Sequence, residues 1–109
     1  MLQKDFLARN PKRLGISVIH AEDEIAAIMM AIGVSYASAL SMVGSSGPGI
    51  DLMGEAISLT GGVEVPLVIL DAQRGGPTTG IPTYTEQSDL NLVLNIGHGN
   101  FQGLYLHRV

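Results

Sequence analysis

Ala39-Leu40-Ser41-Met42-Val43-Gly44-Ser45-Ser46-Gly47-Pro48-Gly49-Ile50-Asp51-Leu52 is the stretch whose reading decides the fold. A short apolar run, Ala39 to Val43, reads as a strand. Gly44 to Gly49 reads as a tight loop, and Ile50 to Leu59 as a helix ended by Gly61-Gly62. A strand that feeds a helix through a glycine-rich turn is half of a parallel crossover unit.

The flanks repeat this order. Ile16-Ser17-Val18-Ile19 reads as a short buried strand. Glu22-Asp23-Glu24 then favour a helix N-terminus through the macrodipole, and that helix is expected from about Glu22 to Ala37. It is apolar on nearly all sides, so burial on more than one face is expected, with Met29, Met30 and Met42 as packing residues. Val65 to Leu70 reads as a third strand, Ala72 to Thr85 as a long loop, and Glu86 to Leu94 as a third helix. His98 sits in a Gly97-His98-Gly99 turn. Residues 1–13 are polar, and frayed or helical. The expected class is α/β, a parallel sheet with helices on both faces.

Ligands of such sheets bind at the carboxyl ends of the strands. Three segments fall there: Glu22–Glu24, Ser45–Gly49 and Gln73–Thr83. Arg74 is the only Lys or Arg between Leu14 and His107. A lone cation on a glycine-rich loop suits a specific anion site; an ion pair with a local acid such as Asp71 is the alternative. Thr78, Thr79 and Thr83 supply hydroxyls around it, or serve turn chemistry beside Pro77 and Pro82. Glu24 is either a solvated helix-dipole residue or, in an apolar cleft, a proton-sharing hydrogen-bond partner. Ser46, Gly47 and Gly49 let a ligand approach the backbone, or form an ordinary turn. Their pattern is neither G-x-G-x-x-G nor G-x-x-x-x-G-K-[ST], so Rossmann and Walker readings fail. His20 and His98 could each serve as general acids or ligands, but they have no paired acidic spacing of the kind a metal site uses.

Composition sets further bounds. The chain has 109 residues, 46% hydrophobic and 15% charged, with a net charge of −4. Mean hydropathy is +0.31. A core with so little polar coat is expected of a fragment or of a chain that faces a partner. Four of the six basic residues are Lys4, Arg9, Lys12 and Arg13, and so acidic a body excludes non-specific nucleic-acid binding. With no cysteine, disulfides, Cys-ligated iron–sulfur clusters and thiol catalysis are excluded within the chain. The unbroken apolar run Ile25 to Val34 is too short to span a membrane, and a cytoplasmic location is expected.

Glu22-Asp23-Glu24-Ile25-Ala26-Ala27, Ser46-Gly47-Pro48-Gly49 with Leu52-Met53, and Glu64-Val65-Pro66-Leu67-Val68 carry a resemblance. So do Gln73-Arg74-Gly75-Gly76-Pro77-Thr78-Thr79-Gly80-Ile81-Pro82-Thr83, Glu86-Gln87-Ser88-Asp89-Leu90 and Gly97-His98-Gly99. In this order, over about residues 18–101, they resemble the alpha subunit of 2-oxoacid:ferredoxin oxidoreductases, in the 2-oxoglutarate and 2-oxoisovalerate branch. The resemblance implies the pyrimidine-binding domain of a thiamine diphosphate enzyme. Similar domains carry a Glu and, nine positions on, a Gly; Glu24 and Gly33 fit. It implies that Glu24 bonds the aminopyrimidine ring, with Ser46, Gly47 and Gly49 also at the cofactor. Arg74 would then hold the substrate carboxylate with the help of Thr83.

The implied reaction is oxidative decarboxylation of a 2-oxoacid, 2-oxoglutarate favoured, with the acyl group passing to coenzyme A and electrons to ferredoxin. The diphosphate and its magnesium would lie on a beta subunit, and the iron–sulfur clusters on other subunits or domains. The family's earlier strand with its Tyr-Pro-x-Thr-Pro segment is missing here, as are its later domains. An incomplete domain is therefore expected, divided as a polar segment 1–13, a partial pyrimidine-binding domain 14–101 and a divergent tail 102–109. A non-catalytic α/β interaction module, or an inactive fragment, is the competing reading. A third is a stand-alone binder of small anions.

Overall fold

The computed structural model describes residues 2–73 and 89–99. Two short helices open it, α1 (Leu2–Arg9) and α2 (Pro11–Leu14). Pro at the start of α2 needs no backbone donor there, and Gly15 closes the helix in the left-handed conformation, φ 65°. The Gly15 and Ile16 amides both donate to Pro11 O. This cap is one reason why the expected strand at Ile16–Ile19 does not form. Its first amide is already used, and the segment runs irregular and exposed, with Ile19 68% exposed.

Helix α3 spans Glu24–Tyr36. Asp23 is its N-cap and accepts from the Ala26 amide at 2.7 Å, so the acidic triplet starts the helix by a specific bond as well as by charge. Ser38 ends it at φ 67°, with Ser38 donating to Ser35 O and Ala39 to Val34 O. That closure moves the next strand. Ala39 is committed to the helix end, and β1 is Met42–Ser45 rather than Ala39–Val43. The expected loop shrinks to Ser46, because helix α4 (Gly47–Leu52) begins directly after it. The single helix expected from Ile50 divides at Met53, whose amide bonds Ile50 O three residues back, and α5 follows as Gly54–Gly62.

The end of α5 is unusual in placing Glu64, not a glycine, at φ 55°. Val65 donates to Thr60 O across this turn. Pro66 has no amide to give, and its carbonyl accepts from the buried Ser35 hydroxyl. Strand β2 therefore starts late, as Val68–Asp71 rather than Val65–Leu70. It lies parallel to β1 in the register Met42 with Val68, Val43 with Ile69, Gly44 with Leu70 and Ser45 with Asp71. Helix α6 is Asp89–Asn95, and residues 86–88 of the expected helix lie outside the described residues. His98 follows between Gly97 and Gly99, both at positive φ, and its amide bonds Ser58 Oγ at 2.8 Å.

The core is small: Ile28, Ala31, Ile32, Val43, Ile50, Met53, Ala56 and Ile57, with Ile69, Val93 and Ile96 packed against it. Helix α3 buries one stripe, Ile28, Ala31, Ile32 and Ser35. Ile25, Met29, Met30, Val34 and Tyr36 are exposed, as is Met42 on β1, contrary to the expectation of burial on several faces. The reason is geometric: in this chain one face of α3 meets β1, α4 and α5, and no described element covers the others. Ile28→Ala removes three carbons from a fully buried site and should cost about 2–5 kcal/mol in denaturant unfolding, whereas half-exposed Met29→Ala should cost about 1 kcal/mol or less.

Candidate functional site

The carboxyl ends of β1 and β2, the first turn of α3 and the start of α4 meet at one place. Glu24 is the first residue of α3 and half-buried. Ser45 closes β1, is 8% exposed, and donates from Oγ to Glu24 Oε1 at 3.3 Å. Asp23 fixes where the helix begins, and the strand register fixes where Ser45 ends; together they orient the carboxylate.

Two glycines make this approach possible. At Gly49 a Cβ would lie 2.9 Å from Glu24 Cγ and 2.9 Å from Ser45 Cβ, and would overlap Ser45 Oγ. At Gly47 a Cβ would overlap the Asp89 carboxylate, with Cγ at 2.5 Å. Both are buried, on the first turn of α4. The wall beneath Glu24 is thus bare backbone, a cradle that any side chain would fill. Ser46 is the N-cap of α4, but its hydroxyl makes no capping bond.

Sequence reasoning had placed Glu24, Ser46, Gly47 and Gly49 together, and the fold brings them together. It passed over Ser45 as a contact of Glu24. Asp71 it named only as a possible partner of Arg74, and Asp89 only within a motif. Both acids lie at this end of the sheet, Asp89 being 6% exposed. Burial, and then the charge of Asp89, hold the Asp71 carboxyl above the ordinary carboxylate range. The signal was present, since each acid borders an apolar run. Arg74, Thr78, Thr79 and Thr83 lie outside the described residues. Gly33, which fits the family's spacing from Glu24, is exposed with open space around it. Among the described residues no three His, Asp or Glu side chains gather as a metal site, and no helix is long and apolar enough to cross a membrane.

The arrangement fits a flat ring that presents an N–H, because a carboxylate only accepts. A carboxylate oriented by one hydroxyl, over bare backbone, can bond a ring nitrogen and admit a flat ring close by.

The family model described as pyruvate flavodoxin/ferredoxin oxidoreductase, thiamine diphosphate-binding, matches residues 4–102. The chain is 44% identical over 106 residues to the 2-oxoacid:ferredoxin oxidoreductase 1 alpha subunit of Sulfurisphaera tokodaii, covering 97% of this chain and 17% of that protein. It is 49% identical over 79 residues to the 2-oxoglutarate oxidoreductase subunit KorA of Mycobacterium tuberculosis, 72% of this chain and 12% of the relative. Among solved structures it resembles a 2-oxoglutarate:ferredoxin oxidoreductase from Magnetococcus marinus with 2-oxoglutarate, coenzyme A and succinyl-CoA bound. The TM-score there is 0.80 at 45% identity, over 88% of this chain and 17% of that one. The chain thus spans about an eighth to a sixth of the length of these relatives.

The glycines set a clear contrast. Gly49→Ala should destabilise the chain by about 1–3 kcal/mol through overpacking, while Gly33→Ala, on an open helix position, should stabilise it by about 0.5–1 kcal/mol. Urea midpoints of the two variants measure both.

Proposed function

This chain belongs to the pyruvate flavodoxin/ferredoxin oxidoreductase, thiamine diphosphate-binding family, and from that premise we propose that it is the cofactor-facing part of the alpha subunit of a 2-oxoacid:ferredoxin oxidoreductase. The observation that carries this reading is the Glu24–Ser45 contact over Gly49 at the carboxyl ends of the two strands. The favoured substrate is 2-oxoglutarate, because the relatives include proteins named for 2-oxoglutarate and the solved relative carries it.

Thiamine diphosphate, when bound, supplies the electron-sink chemistry that lets a 2-oxoacid lose carbon dioxide. The chain's own contribution is placement. Glu24 would hold a proton at a pyrimidine ring nitrogen, with Ser45 donating to one of its two carboxylate oxygens. Gly47 and Gly49 keep the wall flat, and Ser46 offers its hydroxyl beside them. Arg74 grips the substrate carboxylate in two-point geometry, assisted by Thr83. A chain without cysteine leaves cluster ligation to other parts of the enzyme. The diphosphate and its magnesium are assigned to a beta subunit, with ferredoxin and coenzyme A meeting the assembled complex in the cytoplasm.

Two substitutions in the assembled complex separate these roles. Glu24→Gln should lower turnover about a hundredfold or more with little change in the KM for the oxoacid. Arg74→Ala should raise that KM and lower kcat/KM by about ten- to a hundredfold. Steady-state dye reduction measures both; unchanged kinetics in either variant rejects the role given to that residue.

A further inference from the structure

Ser45 is bonded to two parts of the site through different atoms. Its backbone carbonyl accepts from the Ala72 amide at 2.8 Å, one residue past the end of β2. Its side-chain hydroxyl donates to Glu24 Oε1 at 3.3 Å, on the first turn of α3. Ala72 stands two residues before Arg74 in the sequence. One residue at the end of β1 therefore holds both the root of the segment that leads to Arg74 and the carboxylate assigned to the cofactor.

The surroundings keep the hydroxyl in place. Ser45 is buried, and the parallel register sets it opposite Asp71. Its Oγ lies so close to Gly49 that a Cβ there would overlap it, and the same Cβ would meet Glu24 Cγ at 2.9 Å. Hydroxyl and carboxylate thus rest on one bare patch of backbone. Packing against Cγ restrains the stem of Glu24, and a bond to one of its oxygens sets the plane of the carboxylate. The 3.3 Å separation is long for a hydroxyl and a carboxylate, so the effect on rate belongs near tenfold, the low end for a bond to a charged group.

We propose that Ser45 is a positioning residue that acts through Glu24: its hydroxyl sets the carboxylate for the cofactor, while its carbonyl separately anchors the segment that leads to Arg74. The inference rests on the thiamine diphosphate reading above. Because the two bonds use independent atoms, a side-chain substitution breaks the first and spares the second. Loss of the hydroxyl slows turnover and leaves oxoacid binding unchanged.

The test uses the assembled complex carrying Ser45→Ala or Ser45→Cys, supplied with thiamine diphosphate and 2-oxoglutarate, and follows dye reduction. Cys nearly keeps the volume of Ser, but its thiol is a weak donor. Both variants should lower kcat about tenfold, with the KM for 2-oxoglutarate within about twofold of the original. A Cys variant with the original kcat would mean that the side chain only fills space. A KM raised about tenfold at unchanged kcat would place Ser45 with the substrate. Either result overturns the proposal, and the Cys variant decides alone if the Ala variant fails to assemble. A double variant asks whether Ser45 acts through Glu24. In the Glu24→Gln background, Ser45→Ala should change kcat by less than about twofold, because the group it positions is already lost; a further tenfold fall would reveal an independent structural effect and overturn the proposal. Slow Glu24→Gln with normal Ser45 variants rejects the role of Ser45 alone. Unchanged turnover in Glu24→Gln rejects the cofactor role of Glu24, and this use of Ser45 with it.

Discussion

The close approach of Gly49 to Ser45 and Glu24 is the constraint on which the rest of this structure depends. A strand end, a helix start and the first turn of a second helix can meet only if one of them has no side chain. Once they meet, the serine hydroxyl and the carboxylate lie within hydrogen-bond reach, and both are tied to regular elements rather than to a loop. Positions on regular elements are held more tightly than positions on loops, which suits a group whose orientation matters. Gly47 repeats the arrangement one step away, against Asp89. The site is thus built from pairs of small and acidic residues, and bulk is excluded from both.

Much of this was legible in the residues. Acids before an apolar run marked the start of α3 to within two residues, because helix N-termini favour negative charge and Asp caps are strong. The serine and glycine cluster was read as a turn whose backbone could be approached closely, and the fold brings Ser45, Glu24 and Asp89 against it. Two of the three expected strands were found but placed to start about three residues early, and one cause accounts for both shifts. Each preceding helix ends in a left-handed residue, Ser38 or Glu64, whose closing bonds consume the amides that the strand would have used. Neither residue is a glycine, so the usual signal for such an end was absent. The strand expected at Ile16–Ile19 failed for a related reason, its first amide being taken by the cap of α2.

The exposed side of α3 explains the composition. A helix apolar all round predicts burial all round, yet only one stripe is buried. Local sequence reports what a surface is made of, not whether the covering element lies in the same chain. The same limit applies to the acids. Asp89 could be read as part of a motif, but its burial and its contact with Gly47 come from packing between elements forty residues apart, which no local pattern encodes.

The central claim is that these residues face thiamine diphosphate. The most direct measurement is oxoacid-dependent dye reduction by the complex purified with this chain, stripped of cofactor and then resupplied. Activity that is absent after stripping and returns only with thiamine diphosphate, on 2-oxoglutarate before other oxoacids, is the result this account predicts. Reduction that proceeds without the cofactor, or that its return does not restore, would contradict it.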